Sequence, residues 1–365
     1  MCGSKDVVGL DVGTHSIKLV RLKKGKKGFE LLNFGIMPLP PETIVDETIE
    51  KPEVVTEAIK NLFKMEKIKT KEVVIAVSGQ SLVIKKINVP KMTEDELAES
   101  IRVEAEQYLP FAIEDVNVDF QIIKEIIPEK GEKKEEEGEP PKTTMDVLLV
   151  AVRKELIENR NKPILDAGLK PIIVDLDVFA IENGYELNYG VPHGEVIALI
   201  DMGATFTNVN ILVDGVTEVT RDIPGGGNRI NHELQKNFNT DHEGAERLKM
   251  GIGLDGVSEK DVANTITTVL GELSHEINKM FHDFIKSTEK NINRVILSGG
   301  CARIPGIEKI LTENFDMPTE IIDPYKNIKI NPKIFDPQYI QDMAPLAAIS
   351  IGLAMRRLGD KATLS

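Results

Sequence analysis

The sequence predicts an α/β protein made of two related lobes, and three observations support this fold class. A meander of β-rich runs separated by glycine turns opens the chain and recurs near residue 200. Each meander starts with an apolar strand that ends in aspartate, any residue and glycine, at Asp11 and at Asp201. A helical segment and a fully apolar strand follow the first meander, and this order predicts that the helix brings the chain back to the same sheet. Two similar lobes are the simplest explanation of this repeat.

Residue spacing predicts the elements of the first lobe. The opening meander has three strands, at 7–11, 17–22 and 29–36. Its lysine cluster (Lys23, Lys24, Lys26 and Lys27) is interpreted as a hairpin tip and not as a nucleic-acid site. Apolar residues recur at helical spacing from 52 to 63, and an apolar strand follows at 73–78.

An inserted region is predicted between residues 85 and 168. Thr93 and Glu96 form a capping box, which predicts a helix that ends at Pro110. Segment 128–142 is rich in Glu and Lys and lacks core-forming side chains, so it is interpreted as a mobile hairpin loop between two strands, with an acidic docking site as the alternative.

The second half of the chain is predicted to repeat the meander and then to become mostly helical. Strands are predicted at 171–177, 196–201, 207–213, 216–223 and 294–297, and helices at 227–236, 242–250, 258–287 and 345–356. The predicted organisation is a first lobe (1–84), the insertion (85–168), a return to the first lobe (169–190), a second lobe (191–343) and a final connecting helix (344–365).

Composition excludes several classes of function. The chain has 365 residues and a net charge of −14, which disfavours binding to nucleic acid and to anionic lipid. Its two cysteines cannot make a disulfide framework, and it has no run of apolar residues long enough to span a membrane. No signal peptide precedes the first strand, so we expect a cytoplasmic protein.

The paired turns are the main candidate for chemistry. One such turn is more often a plain strand connection, but two at matching positions could face a single nucleotide. Asp11 and Asp201 are suitable ligands, through water, for the Mg²⁺ of a triphosphate, and Lys18 is a weaker candidate because its side chain could face either way. The candidate turn residues are Gly13, Thr14, His15, Ser16, Gly203, Ala204 and Thr205.

Three further elements fit the same site, although each has an ordinary structural explanation. The loop of Gly225, Gly226, Gly227 and Asn228 could hold an anion at a helix N-terminus, or it could be a hinge. Glu246 and Lys249 lie on one helical face and could contact ribose and base, or form a surface ion pair. Gly299 and Gly300 could let a purine lie on the backbone, with Arg303 stacked above it.

These residues resemble the superfamily of actin and the heat-shock chaperone ATPases, whose two phosphate motifs and adenosine motif occur in this order. More narrowly, VPKMTEDEL at 89–97, EAEQYLPF at 104–111 and DVNVDF at 115–120 resemble the PilM family of type IV pilus assembly proteins. The resemblance implies an actin-like two-lobed fold of duplicated ribonuclease-H-like domains, with an inserted subdomain like that of the cell-division protein FtsA.

The resemblance also implies ligands and partners. ATP and Mg²⁺ would bind between the lobes, and the N-terminal cytoplasmic peptide of PilN would bind beside the inserted subdomain, linking the protein to the inner-membrane platform. The membrane would then be reached only through partners, and self-association is left open. A short peptide needs exposed apolar residues to bury, and Val89, Leu109 and Phe111 are the candidates, with the subdomain core as their alternative place.

Departures from the family pattern limit the expected activity. Where chaperone ATPases place a glutamate that positions water, this chain offers Asp177, whose shorter side chain reaches less far. We therefore expect ATP binding with slow or absent hydrolysis. A sugar or acetate kinase and a filament-forming protein like FtsA or MreB remain alternatives, because the same fold serves all of them. The last residues of the sequence lack the membrane helix typical of FtsA, so we do not expect direct membrane attachment.

Overall fold

The computed structural model describes residues 7–26, 28–127 and 143–357, so the first six residues, Lys27, the predicted loop 128–142 and the last eight residues lie outside it. The strands in this part of the chain are β1 (Val8–Val12), β2 (Ser16–Gly25), β3 (Gly28–Pro38), β4 (Ile44–Val45), β5 (Thr48–Ile49), β6 (Glu72–Val77), β7 (Leu82–Pro90), β8 (Val116–Ile126), β9 (Thr144–Arg153), β10 (Lys170–Leu176), β11 (Val196–Met202), β12 (Phe206–Val213), β13 (Val216–Pro224), β14 (Arg294–Ser298), β15 (Thr319–Ile321) and β16 (Ile328–Lys329). The helices are α1 (Pro52–Met65), α2 (Glu94–Glu106), α3 (Lys154–Asp166), α4 (Asp177–Tyr189), α5 (Gly227–Phe238), α6 (His242–Lys249), α7 (Glu259–Thr288), α8 (Ile307–Phe315), α9 (Pro337–Met343) and α10 (Ala348–Met355). None of these helices is both long enough and apolar enough to cross a membrane.

The larger of two compact units contains two sheets with the same topology. The first sheet has the strand order β10-β6-β1-β2-β3-β16, and the second has the order β15-β14-β11-β12-β13. In each sheet an antiparallel meander of three strands is extended by two strands parallel to its first. Strand β1 therefore corresponds to β11, β2 to β12 and β3 to β13. The sequence repeat is thus a structural repeat.

Two helices, α4 and α10, lie between the two sheets. Their buried faces share one core with strands of both sheets, which includes Ile181, Leu353, Val74 and Leu199. The helices approach at backbone distance, because a β-carbon at Gly352 would overlap the carbonyl of Ala180. The two helices therefore contact each other directly through main chain.

The smaller unit, Gln80–Glu158, has a three-stranded sheet of order β7-β9-β8 and helix α2. The predicted capping box is present: the backbone N–H of Glu96 donates to Thr93 Oγ1, and the N–H of Thr93 donates to Glu96 Oε2 at 2.7 Å. Helix α2 ends at Glu106, before Pro110. The chain forms a turn after the helix, in which the backbone N–H of Tyr108 donates a hydrogen bond to the carbonyl of Ala105. The helix therefore stops one turn earlier than the sequence predicts.

The borders of this unit differ from the predicted 85–168. Strand β7 starts at Leu82 and pairs along its whole length with β9, so it belongs to the smaller unit. Residues from Asn159 onward belong to the larger unit, because Ile164 of α3 is buried in the core against the first sheet. Helix α3 itself has no counterpart among the predicted elements.

Candidate functional site

A cavity of about 330 Å³ lies in the larger unit, where the paired turns of both sheets meet. Its size falls at the lower end of the range of small-molecule sites. Seventeen of the predicted residues line it: Asp11, Gly13, Thr14, His15, Ser16, Lys18, Asp177, Asp201, Gly203, Ala204, Thr205, Gly227, Glu246, Lys249, Gly299, Gly300 and Arg303. Elements distant in sequence therefore converge on one cleft.

The two turns have the same backbone geometry. Gly13 N donates to Ser16 O at 3.2 Å, and Gly203 N donates to Phe206 O at 3.0 Å. Each turn follows a strand whose aspartate sits in register with the next strand, Asp11 opposite Lys18 and Asp201 opposite Asn208. The repeat therefore extends to the site, with a lysine on one side and an asparagine on the other.

Three aspartates share the floor of the cleft. Lys18 Nζ lies 3.1 Å from Asp11 Oδ2, so the lysine faces the cleft. Ser298 Oγ donates to Asp201 Oδ1 at 2.8 Å. Burial raises the pKa of Asp177 to about 7, with the charge of Asp11 adding to the effect. Burial also raises the pKa of Asp201 to about 6, against the hydrogen bond from Ser298.

The three aspartates of the cleft make up a set of carboxyl groups that favours a cation. Three carboxyl groups close to each other repel when ionised, and one lysine and one arginine accompany them. Carboxylate oxygens are the ligands that Mg²⁺ prefers, usually one or two of them with several waters. The donor set of Asp11, Asp177 and Asp201 therefore fits the predicted metal.

The pH dependence of stability tests the state of Asp177. Its pKa is higher in the folded protein than in the unfolded chain, so ionisation costs stability progressively between about pH 4 and pH 7. Because the Asp177 side chain is only half-buried, we expect this cost to be about 2 kcal/mol. In urea unfolding without metal, we expect Asp177→Asn to stabilise the protein at about pH 8 and to have little effect near pH 4. An equal effect at both pH values would contradict this assignment.

The glycine loop after β13 does not serve as the predicted anion site. Three of its amides are already bonded to the second turn: Gly225 N to Thr205 O, Gly227 N to Gly203 O and Asn228 N to Ala204 O, at 2.8–2.9 Å. Of the loop residues, Gly225, Gly226 and Asn228 do not line the cleft. A β-carbon at Gly226 would overlap the Gly203 carbonyl, so the glycines allow close packing. The loop is hydrogen-bonded to the second turn, and these amides are therefore not available to a phosphate.

The predicted adenosine side is built from α6 and the end of β14. Glu246 and Lys249 form an ion pair of 2.6 Å, and Asn231 Nδ2 donates to the same carboxylate oxygen, also at 2.6 Å. Burial opposes ionisation of Glu246, but Lys249 outweighs it and keeps the carboxyl pKa below its usual value. Gly299 has a φ of +88° and lies against the backbone of Met202, where any side chain would clash. The missing side chain at Gly299 therefore allows close packing of two backbone segments and does not by itself open a surface for a base.

Sequence reasoning gave no role beside the aspartates to three residues at or near the cleft. Ser78, just after β6, hydrogen-bonds Asp177, and Ser298, at the end of β14, holds Asp201. A serine that ends an apolar parallel strand is a signal that could have found both. Arg160 Nη1 donates to Val12 O at 2.7 Å, and its buried charge lowers the pKa of Asp177. No local pattern distinguishes this arginine from others on α3.

The candidate partner residues of the smaller unit separate into two kinds. Val89 is 3% exposed and belongs to the core of that unit, so the prediction that it lines a groove is wrong. Leu109 is half-buried against the same core. Phe111 is half-buried, with the guanidinium of Arg153 over its ring at 5.6 Å. Leu109 and Phe111 thus stay accessible in part.

Comparison with known proteins places these features in a family. The family model described as type IV pilus assembly protein PilM matches residues 9–358. A solved structure described as a PilM-PilN type IV pilus biogenesis complex is 26% identical, with a TM-score of 0.83, and the match covers 97% of this chain and 99% of that one.

More distant relatives share the fold. Cell division protein FtsA of Bacillus subtilis (strain 168) is 23% identical, over 91% of this chain and 81% of its own length. MreB 5 of Spiroplasma citri, solved bound to AMPPNP, is 15% identical with a TM-score of 0.51, and the match covers 96% of this chain and 95% of that one. These matches confirm the predicted actin-like fold.

Proposed function

The chain belongs to the PilM family of type IV pilus assembly proteins, and we propose that it binds Mg-ATP in its cleft and holds the N-terminal cytoplasmic peptide of PilN. This would make it the actin-like component of the inner-membrane assembly platform, attached to the membrane through its partner. The family match favours this function over the filament-forming alternative, which shares the same fold.

One observation carries the nucleotide part of the proposal: two equivalent turns, each after an aspartate, face the same cavity. Lys18 and the turn amides other than those of Gly13 and Gly203 would contact phosphate oxygens, and Asp11, Asp201 and Asp177 would hold the metal through water. Bound Mg²⁺ would supply positive charge that offsets both the triphosphate and these carboxylates. Glu246, Lys249 and Arg303 would contact the nucleoside.

The position of Asp177 supports the expectation of slow or absent hydrolysis. Its carboxyl lies at the first residue of α4, where Ser78 hydrogen-bonds it and Arg160 stabilises its charge. With a pKa near 7, it could accept a proton from water at neutral pH. These contacts hold a short side chain at the floor of the cleft, so we propose that it positions water poorly and that turnover is slow.

The partner part of the proposal assigns the PilN peptide to the smaller unit. A disordered peptide offsets its ordering entropy by burying a few apolar side chains. Phe111 offers a ring that is accessible in part, and Arg153 beside it offers a cation for peptide carbonyls or carboxylates. Calorimetric titration with a synthetic N-terminal PilN peptide, with and without Mg-ATP, tests the proposal. Absence of peptide binding under both conditions would refute it.

Truncation of Phe111 tests the residue assignment. We expect Phe111→Ala to weaken peptide binding by roughly tenfold, about 1.4 kcal/mol, while melting temperature and ATP binding change little. Val89→Ala is the matched control, because it lies in the core: it should cost about 2 kcal/mol of stability. Full-strength peptide binding by a stably folded Phe111→Ala protein would remove Phe111 from the docking surface.

A further inference from the structure

Two histidines and a glutamate meet at the mouth of the cleft. His15 lies on the first turn, and His242 and Glu246 lie four residues apart on one face of α6. One potential ligand atom from each of these side chains lies within 4.8 Å of the others. The two imidazole rings are 6.5 Å apart between centroids. The three groups therefore come from both lobes and converge on one point.

This set of donors differs from the aspartates on the floor of the cleft. Mg²⁺ prefers oxygen ligands, whereas imidazole nitrogen favours zinc and the neighbouring transition metals. Two histidines and one glutamate form a known type of three-ligand zinc set, which leaves a fourth position open. Ligand bonds of about 2.0–2.2 Å require the donor atoms to approach to about 3.3 Å, which small side-chain rotations can achieve from the present spacing.

The surroundings support the three groups as ligands. Asn231 and Lys249 both donate to Glu246 Oε1, which fixes the carboxylate and leaves Oε2 for a further contact. Asp241, the residue directly before His242, caps α6 by accepting from Gly244 N at 2.8 Å.

We propose that His15, His242 and Glu246 bind a zinc-class divalent metal ion that ties the first turn to α6 across the mouth of the cleft. His15 lines both the cleft and a second cavity, so solvent or a ligand could reach the cluster from either side. Water or an anionic ligand oxygen would complete the coordination there. The proposal goes beyond nucleotide binding and does not depend on it.

Zinc titration of the untagged full-length chain tests the proposal in the absence of nucleotide. All proteins carry Cys2→Ser, because a thiol is a competing ligand; the buried thiol of Cys301, whose pKa burial raises to about 11, is left in place. Competition with a chromophoric chelator measures stoichiometry and affinity, and the visible spectrum of bound Co²⁺ reports a nitrogen and oxygen environment.

We expect one zinc ion per chain and a rise in melting temperature when zinc is added. His15→Asn, His242→Asn and Glu246→Gln should each lower zinc affinity at least roughly tenfold. His275→Asn, an exposed histidine of α7, is the matched control and should bind like the parent. If each of the three single variants still bound one zinc ion with the parent affinity, the assignment would be overturned. The absence of saturable zinc binding by the parent protein would overturn it as well.

Discussion

Replacement of Gly352 by alanine is expected to destabilise the protein by about 3 kcal/mol or more, a large effect for a single added methyl group. The added β-carbon would overlap the backbone carbonyl of Ala180, where α10 crosses α4. A flexible side chain could move away, but at this crossing main chain meets main chain inside a core shared by both sheets. Urea unfolding measures the loss, and a melting temperature several degrees lower should accompany it.

Gly271 provides the matched control for this substitution. It lies in the middle of α7, and a β-carbon there would meet nothing within 4 Å. Gly271→Ala should therefore stabilise the protein by up to about 1 kcal/mol through helix propensity alone. Opposite signs for the two substitutions would identify contact at the helix crossing as the cause. Equal and small effects would show that the crossing tolerates a separation of the helices.

Mg-ATP affinity should fall roughly thirtyfold when either aspartate of the paired turns is neutralised, which corresponds to about 2 kcal/mol. Asp11→Asn and Asp201→Asn remove one carboxylate from the proposed hydration shell of the metal and keep the side-chain size. Asparagine at 201 can still accept the hydrogen bond from Ser298, so the fold should persist. Titration with a fluorescent ATP analogue measures the affinity.

A chelator separates the role of the metal from a general effect of charge. Without Mg²⁺, the native carboxylates of Asp11 and Asp201 would only repel the triphosphate. We therefore expect the variants, which lack one of these charges, to bind free ATP as well as, or better than, the native protein. Asp283→Ala, on the exposed face of α7, controls for net charge and should leave both affinities unchanged. Native Mg-ATP affinity in both variants would refute the site.

Local patterns were sufficient for much of the fold and for the position of the site. The capping box at Thr93 was predictable because both of its hydrogen bonds lie within four residues. The paired aspartates were predictable because the repeat shows each turn twice. Likewise, Glu246 and Lys249 share a face of α6 by helical spacing alone.

Other features depend on contacts that no local pattern contains. Whether an amide such as Gly227 N is free depends on the carbonyl opposite it, which in this fold belongs to Gly203. Val89 beside Pro90 has the same local sequence whether it faces solvent or the core, and the pairing of β7 with β9 decides between the two. The role of Arg160 likewise depends on the approach of α3 to the end of β1.

Lys18 and Asn208 occupy equivalent positions in the two sheets but differ in charge, so the two sides of the cleft are not equivalent. A perfectly repeated pair of turns would be related by a pseudo-twofold axis, and an unsymmetrical ligand would have two equivalent ways to enter it. The ammonium group beside Asp11 has only a neutral amide as its counterpart beside Asp201. This difference would favour one orientation of a negatively charged ligand, with its most negative end towards the ammonium group of Lys18.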